Sequence, residues 1–405
     1  MSEIQPLHHG EEDDEDFELV LLPSSTKGDA ECVSAREALS LSNDISWAKE
    51  GYISLQLFPV RERDDREACA RWSLLHSKWG PSPPRTPPPN IPPLRESLSI
   101  MMKKGCAHAL RRRAWLGLCG IQAPPSPQTP ALRALGDLRN RTIKHPPSFG
   151  GRIVHEQHPL TEQGHACHCR VLAAVAIARP DVSFCPQLPD LAQALLCYCS
   201  EEECLACIEA LLSHQRSPFH LPGVDDQPLP PTCAVCSCSP PEEGGPAGQF
   251  SLNSQRVLEG EGAMRECVGA VQLRVEALCP GLTDHLCSLD LRVTSIASEW
   301  VRRVFCSSVS YRCFLRIIDL LILEGVKGLV LLCVACFTLN DKELRDCETG
   351  EEARAVLASF LDQEEASSLL IESAFFGSHG GGRISKVKVS DVQAVASGVG
   401  DVGIG

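Results

Sequence analysis

The chain has 405 residues, of which 43% are apolar and only 5% aromatic, and it carries a formal charge of −14. That length holds one large domain with tails, or two modest ones, and the apolar fraction suffices for a sizeable core. The acidic balance excludes non-specific nucleic-acid binding as the main task, because such proteins need a basic face to meet the phosphate backbone.

The amino-terminal stretch opens "MSEIQPLHHGEEDDEDF", polar and then acidic, with no apolar core of a secretory signal. The 22 cysteines sit in apolar segments such as "LVLLCVACF", so buried thiols in a cytoplasmic protein are expected rather than a disulfide framework. Residues 1–92 combine the acidic run with the proline tract "WGPSPPRTPPPNIPP" and read as a mostly disordered region, with a short element possible in "ISWAKEGYISLQLF". Within the acidic run, Phe17 and Val20 stand at the aromatic-x-x-aliphatic spacing of peptides that add a strand to Atg8/LC3-type proteins, against an inert acidic tail as the plainer reading.

From residue 93 to residue 376 the apolar period becomes helical. "LRESLSIMMKKG" places Leu94, Leu98 and Met101 on one face and Gly105 at its stop. "CRVLAAVAIA", "LPDLAQALLCYCS" and "EEECLACIEALLSH" continue the series. Ser200 followed by three glutamates predicts a helix start, since acids suit the positive end of the helix dipole. "SLDLRVTSIASEWVRRVF" and "YRCFLRIIDLLILEG" have the same period, and strand-like alternation is scarce, so the fold class is all-α. Loops are expected at 123–151 and 217–248, and residues 377–405 form a glycine-rich flexible tail. The apolar stretch Ile317–Leu339 is interrupted by Asp319, Glu324 and Lys327; it predicts a core helix, being short of the ~20 apolar residues of a membrane span.

Three pieces in order resemble the TBC domain, the all-helical module of Rab GTPase-activating proteins. They are Gly105, Arg111 and Trp115 in "KKGCAHALRRRAW"; "RPDVSFCPQLPDL"; and Arg316, Asp319, Glu324 and Gly325 in "FLRIIDLLILEG". The second piece is most similar to the TBC–TLDc branch, and the chain ends where a TLDc domain would start, as a truncated isoform or a paralogue without it. The resemblance implies a two-lobed helical body that binds a small GTPase of the Rab or Arf type in vesicle trafficking, with no cofactor and no metal. It also implies two catalytic positions: an arginine that neutralises charge on the transferring phosphoryl group and a glutamine that orients water. Here they fall on Phe149 and Pro186, with Phe184 in place of tyrosine. Neither side chain can polarise a phosphate, so a pseudo-GAP is expected. The alternative is an active GTPase activator using displaced residues: Gln187, one position on, or Arg141 or Arg152 on the flanks of the first loop. Arg111, Trp115, Arg316 and Asp319 are expected to be architectural, with Arg316 and Asp319 able to meet each other or to cap a neighbouring loop.

The resemblance further implies a phosphoinositide pocket. Lys103 falls on one of its basic positions, Leu331 replaces another, and Lys104, Arg112, Arg113 and Lys327 lie nearby, giving a phosphoinositide adaptor or a plain solvated face. "PPTCAVCSCSPP" brings Cys233, Cys236 and Cys238 together, with His214 and His220 irregularly spaced, and "HACHC" at His165–Cys169 gives a second loose set. Neither has the regular four-ligand spacing of a structural zinc site, so no metal is expected.

Overall fold

A computed structural model of the chain describes residues 99–121, 128–155, 158–213, 257–363 and 365–376. The motifs at Phe17 and Val20, the short element in "ISWAKEGYISLQLF", Leu94, Leu98, the 217–248 loop, Cys233, Cys236, Cys238 and the 377–405 tail lie outside these residues.

The described residues are helical and contain no strand. A helical segment over 99–104 ends at Gly105, where a φ of 113° turns the chain. In chain order follow α1 (His108–Leu118), α2 (Pro130–Leu138), α3 (Glu162–Ala178), α4 (Leu188–Leu196), α5 (Glu201–Leu212), α6 (Gly260–Leu278) and α7 (Leu282–Ser288). Then come α8 (Val293–Arg302), α9 (Tyr311–Glu324), α10 (Val326–Leu339), α11 (Asp341–Arg345), α12 (Gly350–Leu361), α13 (Ala366–Ile371) and a π-helical turn over Glu372–Phe376.

The helix starts follow from local chemistry. Ser200 accepts from the Glu203 amide while the Glu203 carboxylate takes the Ser200 amide, so two otherwise orphaned donors are satisfied reciprocally at the head of α5. Thr161, Ser310 and Thr349 cap α3, α9 and α12 with their hydroxyls. The expected loop over 123–151 holds a helix instead: Thr129 caps α2, Pro130 occupies its first turn, and Ala131, Ala134, Leu135 and Leu138 form its buried face. Likewise the single period read through "SLDLRVTSIASEWVRRVF" is broken between α7 and α8, with Asp290 at a positive φ of 56°.

Packing divides the helices into two groups. α2, α3, α4 and α5 pack on one another, and α6, α8, α9, α10 and α13 form a second set, with α9 also touching α1 and α4. The long apolar stretch is two helices. Gly325 joins α9 to α10 with φ 68° and ψ −154°, a conformation essentially closed to residues with a Cβ. α10 is buried on nearly every face beyond Lys327, as its uncharged run from Gly328 to Leu339 predicts. No described helix is long and apolar enough to cross a membrane. Of the seventeen described cysteines only Cys287 is exposed, and none forms a disulfide with another described residue, so the buried thiols serve as small core residues.

Candidate functional site

The first motif builds the junction between α1 and α9. Arg111 on α1 grips Asp319 on α9 with two parallel bonds of 3.0 Å, and the Trp115 indole nitrogen donates to the same carboxylate at 2.8 Å. Trp115 is fully buried and meets the Tyr198 ring edge-on. Arg111 also donates to the Tyr198 hydroxyl at 2.9 Å and to the Cys106 carbonyl at 3.1 Å, so a buried guanidinium is bonded along most of its rim. Burial opposes its charge, but Asp319 outweighs burial and holds the guanidinium protonated. Arg316 and Asp319 therefore do not bond to each other. Arg316 reaches Ser368 on α13 and the Lys103 carbonyl instead. Arg111, Trp115 and Asp319 thus join α1 to α9 through buried hydrogen bonds.

The second feature is the pair of loops on which the resemblance places the fingers. They pack directly on one another. The Cys185 amide donates to the Phe149 carbonyl at 2.8 Å. A Cβ at Gly151 would stand 2.3 Å from the Pro186 carbonyl oxygen, so only glycine allows this approach. Phe149 and Pro186 are both buried, and Phe149 adopts a positive φ of 51°. Phe184 is half-buried, with the Arg302 guanidinium 5.4 Å above its ring. Gln187 is 0% exposed: its amide nitrogen donates to the Val301 carbonyl and its oxygen accepts from the Leu258 amide, both at 3.1 Å. Its polar ends are thus occupied in the core. Arg141 and Arg152 are exposed.

Sequence reasoning missed a buried network beneath the second loop. Asp190 on α4 takes two bonds from Arg303, 2.9 and 2.8 Å long, and stands 3.1 Å from His158 Nε2. Burial alone would raise the Asp190 carboxyl, but the bonds from His158 and Arg303 hold it below the usual carboxylate range. Asp190 and Arg303 are 113 residues apart, so only an ionisable residue in an otherwise apolar helix start marked the site.

Two of the basic residues face carboxylates. The Lys103 ammonium pairs with Glu324 at 2.6 Å and lies over the Phe375 ring. Arg112 forks onto Glu203 with bonds of 3.0 and 2.6 Å. Lys104 and Arg113 are exposed, Lys327 is half-buried, and Leu331, at the substituted position, is in the core.

A helical body with this junction and these loops matches, over residues 153–225 and 257–345, the family model of the Rab-GTPase-TBC domain. Over those residues the chain is similar to the Rab-GTPase-TBC domain. It is similar to human Small G protein signaling modulator 3, 21% identical over 290 residues that cover 69% of this chain and 33% of that protein. The mouse protein of the same name is 22% identical over 293 residues, covering 70% and 34%. The chain thus spans about a third of the length of these relatives. Among solved structures, the Chlamydomonas flagellar RabGAP TBC domain superposes with a TM-score of 0.48 at 16% identity, covering 80% of this chain and 99% of that one. The TBC domain of Skywalker/TBC1D24 from Drosophila melanogaster gives 0.48 at 15% identity, covering 85% and 97%.

Proposed function

We propose that this protein binds a small GTPase of the Rab or Arf type and regulates vesicle trafficking from the cytoplasm without strongly accelerating GTP hydrolysis. The observation that supports this reading is the contact between the two finger loops. The loops are present and packed together, yet they carry Phe149 and Pro186, both buried, where an arginine and a glutamine would be needed. An arginine finger contributes a factor of about 10³ to 10⁵ because its planar cation meets developing negative charge, and neither replacement carries charge. Gln187 is one residue away, but releasing its amide would leave the buried Leu258 amide without a partner in the core.

A second reading has one observation in its favour. Arg141 and Arg152 are exposed on the flanks of the first loop, so a one-armed activator that supplies only a cation is sterically open. Attachment to a phosphoinositide surface has less support, since Lys103 and Arg112 already face carboxylates.

The test is a panel of Rab and Arf proteins loaded with GTP or a non-hydrolysable analogue. Binding to at least one member with hydrolysis within about twofold of its intrinsic rate is expected, far from the factor an arginine finger supplies. A large acceleration that Arg141→Ala or Arg152→Ala abolishes replaces the first reading with the second.

A further inference from the structure

The "HACHC" segment lies on the first turns of α3, and the fold brings a third histidine to it. His155 sits in the chain between the Phe149 turn and α3, while His165, His168 and Cys169 project from α3 with His165 one turn before the other two. One ligating atom from each of His155, His168 and Cys169 lies within 4.8 Å of the other two. The His165 ring stacks on His155 at 4.3 Å, and the His168 ring meets His155 edge-on at 5.8 Å.

Hydrogen bonding separates this cluster from ordinary core histidines. His155 Nε2, His165 Nδ1 and His168 Nδ1 are buried atoms with no hydrogen-bond partner. Unpartnered buried nitrogens are uncommon, and three on adjoining histidine rings are not what a satisfied core looks like. His168, 0% exposed, has its Nε2 3.1 Å from the Pro189 carbonyl. Donation through that atom fixes the tautomer and leaves the Nδ1 lone pair toward the cluster, the outer-shell arrangement of metal-ligating histidines. The nearby Arg170 guanidinium is neutralised by Glu201, so no uncompensated cation opposes an ion there. The other cluster of this kind, His158, Asp190 and Cys306, is less suited, because Arg303 already occupies both carboxylate oxygens of Asp190.

We propose that His155, His168 and Cys169 bind one Zn²⁺ ion, with His165 as the nearest further donor. Imidazole nitrogen and thiolate sulfur are the donors zinc prefers. Binding forms the sulfur–zinc bond and releases the Cys169 thiol proton to solvent, so the oxidation state of neither partner changes. His155 and His165 are half-buried, which leaves the ion a route in from the surface. The ion would brace the chain that leads from the Phe149 loop into α3. This departs from the sequence-based expectation of no metal, because His155 enters the cluster only through the fold.

The full-length chain, stripped with a chelator, is titrated with zinc by calorimetry and with Co²⁺ by absorbance. One equivalent is expected, with a thiolate-to-cobalt band that Cys169→Ser removes. His155→Ala, at a half-buried loop position, keeps the metal-free helical signal and melting profile. It weakens binding by more than about a hundredfold, beyond the range for outer-shell partners. Replacing Cys233, Cys236 and Cys238 together by serine leaves the titration unchanged. Absence of binding, a loss of less than about tenfold in His155→Ala, or disappearance of binding in the triple-serine chain overturns the proposal.

Discussion

Arg111 and Asp319, 208 residues apart in sequence, meet in the protein interior through two parallel 3.0 Å hydrogen bonds. Both side chains are almost fully withdrawn from water, at 4% and 1% exposure. A buried pair of this kind adds little over a well-packed apolar pair, but removing one partner strands the other charge. Arg111→Ala is therefore expected to lower unfolding free energy by about 3–5 kcal/mol. Arg111→Met combined with Asp319→Leu recovers most of it. Urea denaturation of the three chains measures both effects, and equal losses in the single and double variants would contradict this account.

The same junction predicts an acid sensitivity. Burial, with the Arg111 and Arg312 cations beside it, pushes the His108 imidazole well below its ordinary range. Its Nδ1 lies 2.5 Å from the Tyr198 hydroxyl and 3.1 Å from Arg111. The unfolded chain takes up this proton near pH 6.5 while the folded chain refuses it, so stability is full above that pH and falls as pH drops below it. The contribution is at most about 1.4 kcal/mol per pH unit from this group. Denaturation midpoints between pH 8 and pH 5.5 are expected to fall less steeply in His108→Gln than in the unaltered chain.

Gln187 separates stability from catalysis. Gln187→Ala removes the partner of the buried Leu258 amide, whereas the Val301 carbonyl still accepts from the Arg303 and Val304 amides. An orphaned buried amide costs about 1–3 kcal/mol, so a loss of that size is expected in thermal or chemical unfolding. At a temperature where the variant is folded, its effect on GTP hydrolysis by a bound GTPase equals that of the unaltered chain. A selective loss of hydrolysis would show that the amide leaves the core to act.

Lys103 tests the basic cluster. Its ammonium is already met by Glu324 in a partly buried pair. Lys103→Ala is expected to cost up to about 1 kcal/mol of stability. It should leave flotation on phosphoinositide-containing liposomes unchanged. Loss of flotation without loss of stability would restore the pocket.

The sequence by itself determined the helical class, the start of α5 and the family resemblance. Those are local quantities: the capping box at Ser200 and Glu203 and the all-apolar face of α10 are written within a few residues of where they act. α2 was missed although Thr129 and Pro130 announce it, because a short helix between prolines offers too few turns for its period to stand out. Only the tertiary structure decided which partner each buried charge takes. Arg316 and Asp319 are near neighbours on α9, yet Asp319 bonds to Arg111 and Arg316 turns to α13. A helix sets spacing along its own axis, whereas burial selects the partner that another helix brings. Likewise "HACHC" shows four potential ligands, but only the packing of the loop against α3 delivers His155 to them.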